Sequence, residues 1–272
     1  VPIKSWCNNP EEGALTQAYN LSNLPFIYKH VALMPDTHQG YGMPIGGVIA
    51  TKEVVIPNAV GVDIGCGMCA VKTNIKVNSL DKNKIENLIN SIKNKIPVGF
   101  NHRKKAREEK VSELSPFEIT TRTSVVRREL EKSKYQLGTL GGGNHFIELQ
   151  SDGEYLWVMI HSGSRNLGYQ VAKYYNDLAI NLNKMWHSNI SNETDLAFLP
   201  LNSKEAQDYL VEMYYCLEFA KVNRDVMMKD IMQILRNNFE EPVNKLLSCN
   251  IHHNYARMEN HFGHNVMIHR KG

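Results

Sequence analysis

Thirteen of the 18 glycines fall in three short stretches: seven in 40–67, four in 138–143 and two in 163–168. Glycine tolerates positive φ and lets two backbones approach closely. Each stretch contains or abuts Cys, His or Asp. The clustering therefore predicts bent loops built around a site, not linkers. Such loops need a fold that brings distant parts of the chain together. The sequence shows no internal repeat and no low-complexity segment.

Between the loops the pattern is mixed. Residues 48–50, 54–56 and 70–73 read as short strands, and 146–149 and 155–160 as two more joined by a Ser-Asp-Gly turn. Ile85, Leu88, Ile89, Ile92 and Ile96 recur at helical spacing, predicting a helix over 82–96 that Pro97 and Gly99 stop. Further helices are expected over 102–134, with a break near Pro116, from Gly168 to about Lys184, and over 254–260. Residues 187–203 read as loop. A long helix then opens with Ser203 as N-cap. Leu210, Met213, Leu217, Ala220, Met227, Ile231 and Ile234 give it an apolar stripe, in which the methionines read as core. Strands and helices do not alternate regularly, which argues against a doubly wound parallel sheet. The expectation is an α+β fold, one domain over 1–272, with a mixed β-sheet core and surrounding helices.

Lys plus Arg number 31 against 28 Asp plus Glu, too small a surplus to imply nucleic-acid binding by itself. Local charge is higher in 102–110, where Arg103, Lys104, Lys105, Arg107 and Lys110 face Glu108 and Glu109. This reads as a solvated helix face, with contact to a polyanion as the sharper alternative. Five cysteines, odd in number and widely spaced, argue against a secreted disulfide framework. No apolar run approaches the ~20 residues of a membrane span, and no signal-peptide pattern opens the chain. A cytoplasmic protein with reduced thiols is expected.

Four stretches carry chemistry. In Gly61-Val62-Asp63-Ile64-Gly65-Cys66-Gly67, Asp63 and Cys66 would face opposite sides of a straight strand. Gly65 and Gly67 let the chain bend and aim both at one cation. Cys66 and Cys69 spell C-x-x-C, but a zinc ribbon needs a second pair and none exists. In Leu140-Gly141-Gly142-Gly143-Asn144-His145-Phe146-Ile147-Glu148, three glycines lead into a strand. Asn144 and Glu148 should share one face of it, with His145 on the other. In His161-Ser162-Gly163-Ser164-Arg165, a strand ends on a His, and Arg165 stands where a helix N-terminus would favour an anion. In Asn250-Ile251-His252-His253-Asn254, adjacent histidines cannot both reach one point, so at most one is a ligand. His261, His264 and His269 fit no zinc-finger or H-E-x-x-H spacing and read as surface or supporting residues.

Together these stretches resemble the RtcB family of RNA-splicing ligases. The resemblance includes Met34-Pro35-Asp36-Thr37-His38-Gln39-Gly40-Tyr41-Gly42-Met43-Pro44-Ile45-Gly46-Gly47, then 61–67, 140–148 and 161–165. It continues through Asn223-Arg224, His253-Asn254 and His269-Arg270-Lys271-Gly272, in family order. It implies a ligase dependent on manganese and GTP that joins RNA 3′-phosphate or 2′,3′-cyclic phosphate ends to 5′-hydroxyl ends, in tRNA splicing or RNA repair. Carried over by residue, Asp63, Cys66 and His145 would hold one manganese ion. Cys66, His161 and His253 would hold the second, with Cys66 bridging. Asn144, Phe146, Glu148 and Asn254 correspond to guanosine-nucleotide contacts. Arg165, Arg224, Arg270 and Lys271, with the basic stretch 102–110, are the cationic candidates for RNA or phosphate.

In the family reaction a His attacks GTP, keeps GMP covalently, and passes it to the RNA 3′-phosphate, from which the 5′-hydroxyl displaces it. That His lies in a His-Gly-Ala-Gly-Arg motif, which does not occur in these residues. None of the eleven histidines matches the nucleophile. The resemblance thus implies a chain without the family's C-terminal part, and without its first residues. Two other functions fit the same residues: a two-metal phosphoesterase acting on RNA cyclic phosphate ends, and a non-catalytic remnant that binds metal and RNA.

Overall fold

The computed structural model describes residues 1–109, 111, 125–190 and 194–272. Two larger sheets position the site. In the first, β1 (Ile3–Ser5), β2 (Ile27–His38), β3 (Ile45–Thr51), β11 (His264–Lys271) and β10 (Tyr255–His261) lie side by side in that order. Strands β1 and β2 run parallel, and the other pairs are antiparallel. In the second, β6 (Phe146–Ser151), β7 (Tyr155–Ser162), β5 (Gly67–Lys76) and β9 (Lys245–His252) form an antiparallel sheet in that order. Strands β4 (Val54–Val55) and β8 (Leu199–Pro200) make a separate antiparallel pair.

The helices are α1 (Glu12–Ser22), α2 (Pro57–Val60), α3 (Lys82–Lys95), α4 (Val125–Gln136), α5 (Arg165–Met185) and α6 (Lys204–Asn238). The architecture is α+β with a mixed sheet, as expected. Among the described residues, no helix is long and apolar enough to cross a membrane.

Helix α6 organises the interior. Ser203 caps it, its Oγ accepting a hydrogen bond from the Ala206 N–H at 3.2 Å. The N-terminal half buries Tyr209, Met213, Cys216 and Phe219 in a core shared with Leu167, Val171 and Tyr175 of α5. The C-terminal half buries Met227, Met228, Ile231, Met232 and Leu235 in a second core. That core is shared with Leu88 and Ile92 of α3 and with Cys69, Val71, Val158 and Ile160 of the four-stranded sheet. A third core joins α1 to the five-stranded sheet through Leu21, Val31, Leu33 and Ile49. Between the first two cores, α6 carries a polar pair, Asn223 and Arg224, both 0% exposed.

Three expectations need correcting. Residues 255–260 lie in strand β10, not in a helix. Its register with β11 runs from Tyr255 opposite Arg270 to His261 opposite His264. Phe262 and Gly263, both at positive φ, close the hairpin, as a two-residue primed turn requires. Residues 102–109 are irregular, not helical. Arg103 and Arg107 both reach Asp230 at 2.9 Å, so this charge run is anchored to α6 through its arginines. Lys110 and Pro116 lie outside the described residues. Helix α5 starts at Arg165, ahead of the expected Gly168.

Candidate metal centre

The loop after α2 turns sharply. Gly65 sits at φ +75°, a conformation L side chains resist. Its N–H donates to the Asn254 carbonyl at 2.9 Å, and the Cys66 N–H donates to the Asp63 carbonyl at 3.1 Å. Asp63 and Cys66 therefore point to one place, as the glycines predict. Gly67 plays a different part, since a Cβ there would lie 2.0 Å from the Ile251 carbonyl oxygen. Its bareness lets β9 close against β5 beside Cys66.

Three other segments supply imidazoles. His145 ends the glycine loop that precedes β6, His161 lies near the end of β7, and His253 follows β9. Cys66 Sγ is 3.1 Å from His161 Nε2 and 3.4 Å from His145 Nε2. His161 Nε2 is 3.3 Å from His253 Nε2, and His145 Nε2 is 2.8 Å from Asp63 Oδ2. Two ligand groups result, Asp63–Cys66–His145 and Cys66–His161–His253, and they share the sulfur. Donors around one tetrahedral ion at ordinary Zn–N and Zn–S lengths stand about 3.3–3.6 Å apart. The observed spacings are close to that.

The donor set fits cations for a second reason. His145 Nδ1 is 3.0 Å from the Leu140 carbonyl, and His161 Nδ1 is 2.9 Å from the Asn144 carbonyl. A carbonyl accepts, so the His161 ring carries its proton on Nδ1 and aims its Nε2 lone pair inward. At His161 that lone pair meets sulfur and a second imidazole nitrogen. A cation placed between them would be shared by the sulfur and both ring nitrogens. Burial pushes the Cys66 thiol well above its ordinary value. The same burial, with His161 alongside, lowers His253 to about 4, and burial also lowers His161. Burial opposes the charge on Asp63, but the His145 hydrogen bond prevails and holds its carboxyl below the ordinary value. An ion here binds neutral imidazoles and must displace the thiol proton.

The remaining predicted residues divide. Asn144 is exposed and contributes its carbonyl to His161. Phe146 stands opposite His161 in the β6–β7 register, with ring centroids 5.3 Å apart. Glu148 is exposed and accepts from Gln150. Phe146 and Glu148 share the face away from the core, while Ile147 and Leu149 pack inward. Asn254 is buried; its Nδ2 donates to the Asp63 carbonyl and its Oδ1 accepts from the Gly272 N–H. Both ends of that amide are thus used within the protein. The neighbouring His252 lies at Arg224 and the Gly65 carbonyl, leaving His253 as the one ligand of the pair.

Of the four cationic candidates, Arg165 stays beside the centre, with Nη1 3.3 Å from His145 Nδ1. Its backbone holds φ +59°, a strained value for a non-glycine residue. The other three are engaged within the protein. Arg224 is fully buried and has no surface to offer RNA. Arg270 pairs both ways with Glu259, and Lys271 is buried with Nζ donating to the Tyr41 and Asn58 carbonyls. His269 is completely buried, not a surface residue; its Nε2 accepts from the Ile56 N–H at 3.0 Å. A cleft of about 1040 Å³ opens onto Asp63, His145 and Arg165 and is walled by Phe100, Tyr135 and Tyr169. These three rings are largely exposed, and residue types alone did not mark them.

Gly163 gives a direct test of the Asp63 side. A Cβ there would lie 2.2 Å from Asp63 Oδ1. Gly163→Ala is expected to displace the carboxylate and weaken cation binding at the Asp63–Cys66–His145 group by at least about tenfold, the low end for disturbing a ligand's support. Equilibrium dialysis counts the ions. Two unchanged affinities would show that Asp63 is not a ligand.

Comparison with known proteins places the chain in a family. The family model described as "tRNA-splicing ligase RtcB" matches residues 17–272. The RNA-splicing ligase RtcB of Escherichia coli K12 is 36% identical over 294 residues, covering 100% of this chain and 71% of its own length. The tRNA-splicing ligase RtcB of Nanoarchaeum equitans is 31% identical and is covered to 68%. That of Methanococcus maripaludis is 31% identical over 97% of this chain and 65% of its own length.

Proposed function

Because the chain belongs to the RtcB family, we propose that it forms the two-metal centre of an RNA ligase. The ligase uses manganese and GTP to join 3′-phosphate or 2′,3′-cyclic phosphate ends to 5′-hydroxyl ends. The observation that carries this reading is the single sulfur shared by two converging ligand groups. Asp63, Cys66 and His145 would hold one ion, and Cys66, His161 and His253 the other. Bound there, two cations would polarise a phosphoryl group and stabilise charge on the attacking and leaving oxygens. Thiolate and imidazole suit zinc as well as manganese, so the preference for manganese comes from the family.

The protein's own groups set the stage for that chemistry. The Leu140 and Asn144 carbonyls fix the ring orientations of His145 and His161. Arg165 lines the cleft beside Asp63 and His145 and offers a guanidinium to a phosphate. Phe100, Tyr135 and Tyr169 offer faces on which unpaired bases at an RNA end can stack. Phe146 and Glu148 present an aromatic face and an acceptor for guanosine on the His161 side. A reducing compartment such as the cytoplasm keeps Cys66 available.

The test uses the product of the complete reading frame. It should join a cyclic-phosphate RNA to a 5′-hydroxyl RNA only with Mn²⁺ and GTP, and mass spectrometry should find a GMP adduct. Opening of cyclic phosphate ends without GTP and without joining would make the centre a phosphoesterase. RNA binding with no turnover under any metal would make it a binding module.

A further inference from the structure

Arg224 is a large, fully buried side chain, and it sits next to the centre. Among the described residues no carboxylate is within hydrogen-bonding reach of it. Its partners are two carbonyls, one amide and one ring. Nη1 donates to the Gly65 carbonyl at 2.9 Å and to the Ser162 carbonyl at 2.8 Å. Nε donates to Asn250 Oδ1 at 2.7 Å, and Nη2 is 3.1 Å from His252 Nδ1. An arginine buried without a counter-carboxylate is costly, so its retention asks for a compensating role.

The partners show a pattern. Gly65 precedes Cys66, Ser162 follows His161, and His252 precedes His253. One guanidinium therefore grips the residue beside each of the three ligands Cys66, His161 and His253. Those ligands come from three separate segments: the loop after α2, the end of β7 and the end of β9. A planar five-donor group can span three acceptors in fixed directions, which a lysine ammonium cannot.

We infer that Arg224 is the positioning residue for the ion held by Cys66, His161 and His253, holding all three ligand segments in register from the middle of α6. The inference rests on the reading of that cluster as a metal centre. The adjacent Asn223 serves the opposite side. Its Oδ1 accepts from the Gly138 and Thr139 N–H groups at 2.7 and 3.2 Å. Its Nδ2 donates to the Thr139 and Gly163 carbonyls. It thus fastens the start of the glycine loop that delivers His145 to the segment after His161.

The experiment is Mn²⁺ equilibrium dialysis on the whole protein, in three backgrounds. His145→Ala leaves the Cys66–His161–His253 group alone, and His253→Ala leaves Asp63–Cys66–His145. Arg224→Lys keeps the charge and loses the span. It is expected to weaken the ion remaining in His145→Ala by about 10–100-fold, the usual cost of a lost supporting contact. In His253→Ala the loss should be at least several-fold smaller. Leu235→Ala, a cavity in the second core, controls for stability; it should lower the melting temperature and leave both ions in place. Should Arg224→Lys fail to fold, Asn250→Leu removes one gripped partner at the partly exposed edge strand and should weaken the same ion several-fold. Equal affinities in Arg224→Lys and wild type, or equal losses in the two His backgrounds, would overturn the inference. So would a parallel loss of ions in Leu235→Ala. Absence of Mn²⁺ binding in the wild type would overturn the metal centre itself, a result distinct from those.

Discussion

Cys66→Ala is expected to remove both ions at once. Its sulfur is the one donor common to the two ligand groups. His145→Ala and His253→Ala should each lose one ion and keep the other. Loss of a supporting contact costs ~10–100-fold in metal affinity or activity. Loss of the shared ligand should exceed that and lower RNA joining by about 10³-fold or more. Metal analysis after dialysis, alongside a joining assay, measures both. Retention of one tightly held ion in Cys66→Ala would show that the two positions do not share the sulfur. Cys69→Ala is the matched control. Cys69 is buried in the second core and belongs to neither ligand group.

Acid should destabilise this protein from about pH 6.5 downward. Burial lowers His269 to about 3. Burial, with the Arg224 charge beside it, lowers His252 to about 4. Burial and His161 take His253 to about 4. In the unfolded chain these rings titrate near 6.5. Between the two values the unfolded state binds more protons, so stability rises with pH across that window. The contribution is complete above about pH 6.5 and is lost as pH falls toward 4. For fully buried His269 the loss by pH 4 is about 3 kcal/mol. The other two rings are partly screened by water and contribute less. Total stabilities are usually ~5–15 kcal/mol, so these rings remove a large share of the total by pH 4. Urea melts from pH 8 to pH 4 test this, and His269→Gln should flatten the slope. A stability that is level down to pH 4 would contradict it. Added Mn²⁺ should steepen the dependence, because bound ions require the Cys66 thiolate and a neutral His253.

The site was more legible in the sequence than the fold around it. Glycine beside Cys, His or Asp marks a chain bent for close approach, and such signals are local. Gly65 at positive φ and the convergence of Asp63 with Cys66 follow from them directly. The α6 stripe and its Ser203 cap were equally visible, since periodicity and capping are properties of the segment itself. Residues 254–260 misled because Ala256, Arg257, Met258 and Glu259 are good helix formers. Pairing with β11 overrides that preference, and pairing is not a local property. Strand β9 gave no signal, for its residues are mostly exposed and show no clean alternation. Arg224 was misplaced for a related reason. A cation in a motif suggests an anionic ligand, whereas its partners are carbonyls drawn from segments up to 159 positions away in sequence. The three rings walling the cleft also come together only through the fold.

Helix α6 has one consequence for how the molecule opens. A 35-residue helix is about 52 Å long, and this one is part of two cores. Neither core can come apart without unwinding a rod that the other still grips. Amide exchange at 220–226, the stretch between them, should therefore be the slowest in the protein and should report a single whole-molecule event. Proteases would find no partly open form in which the sulfur is bared while the helix stays wound.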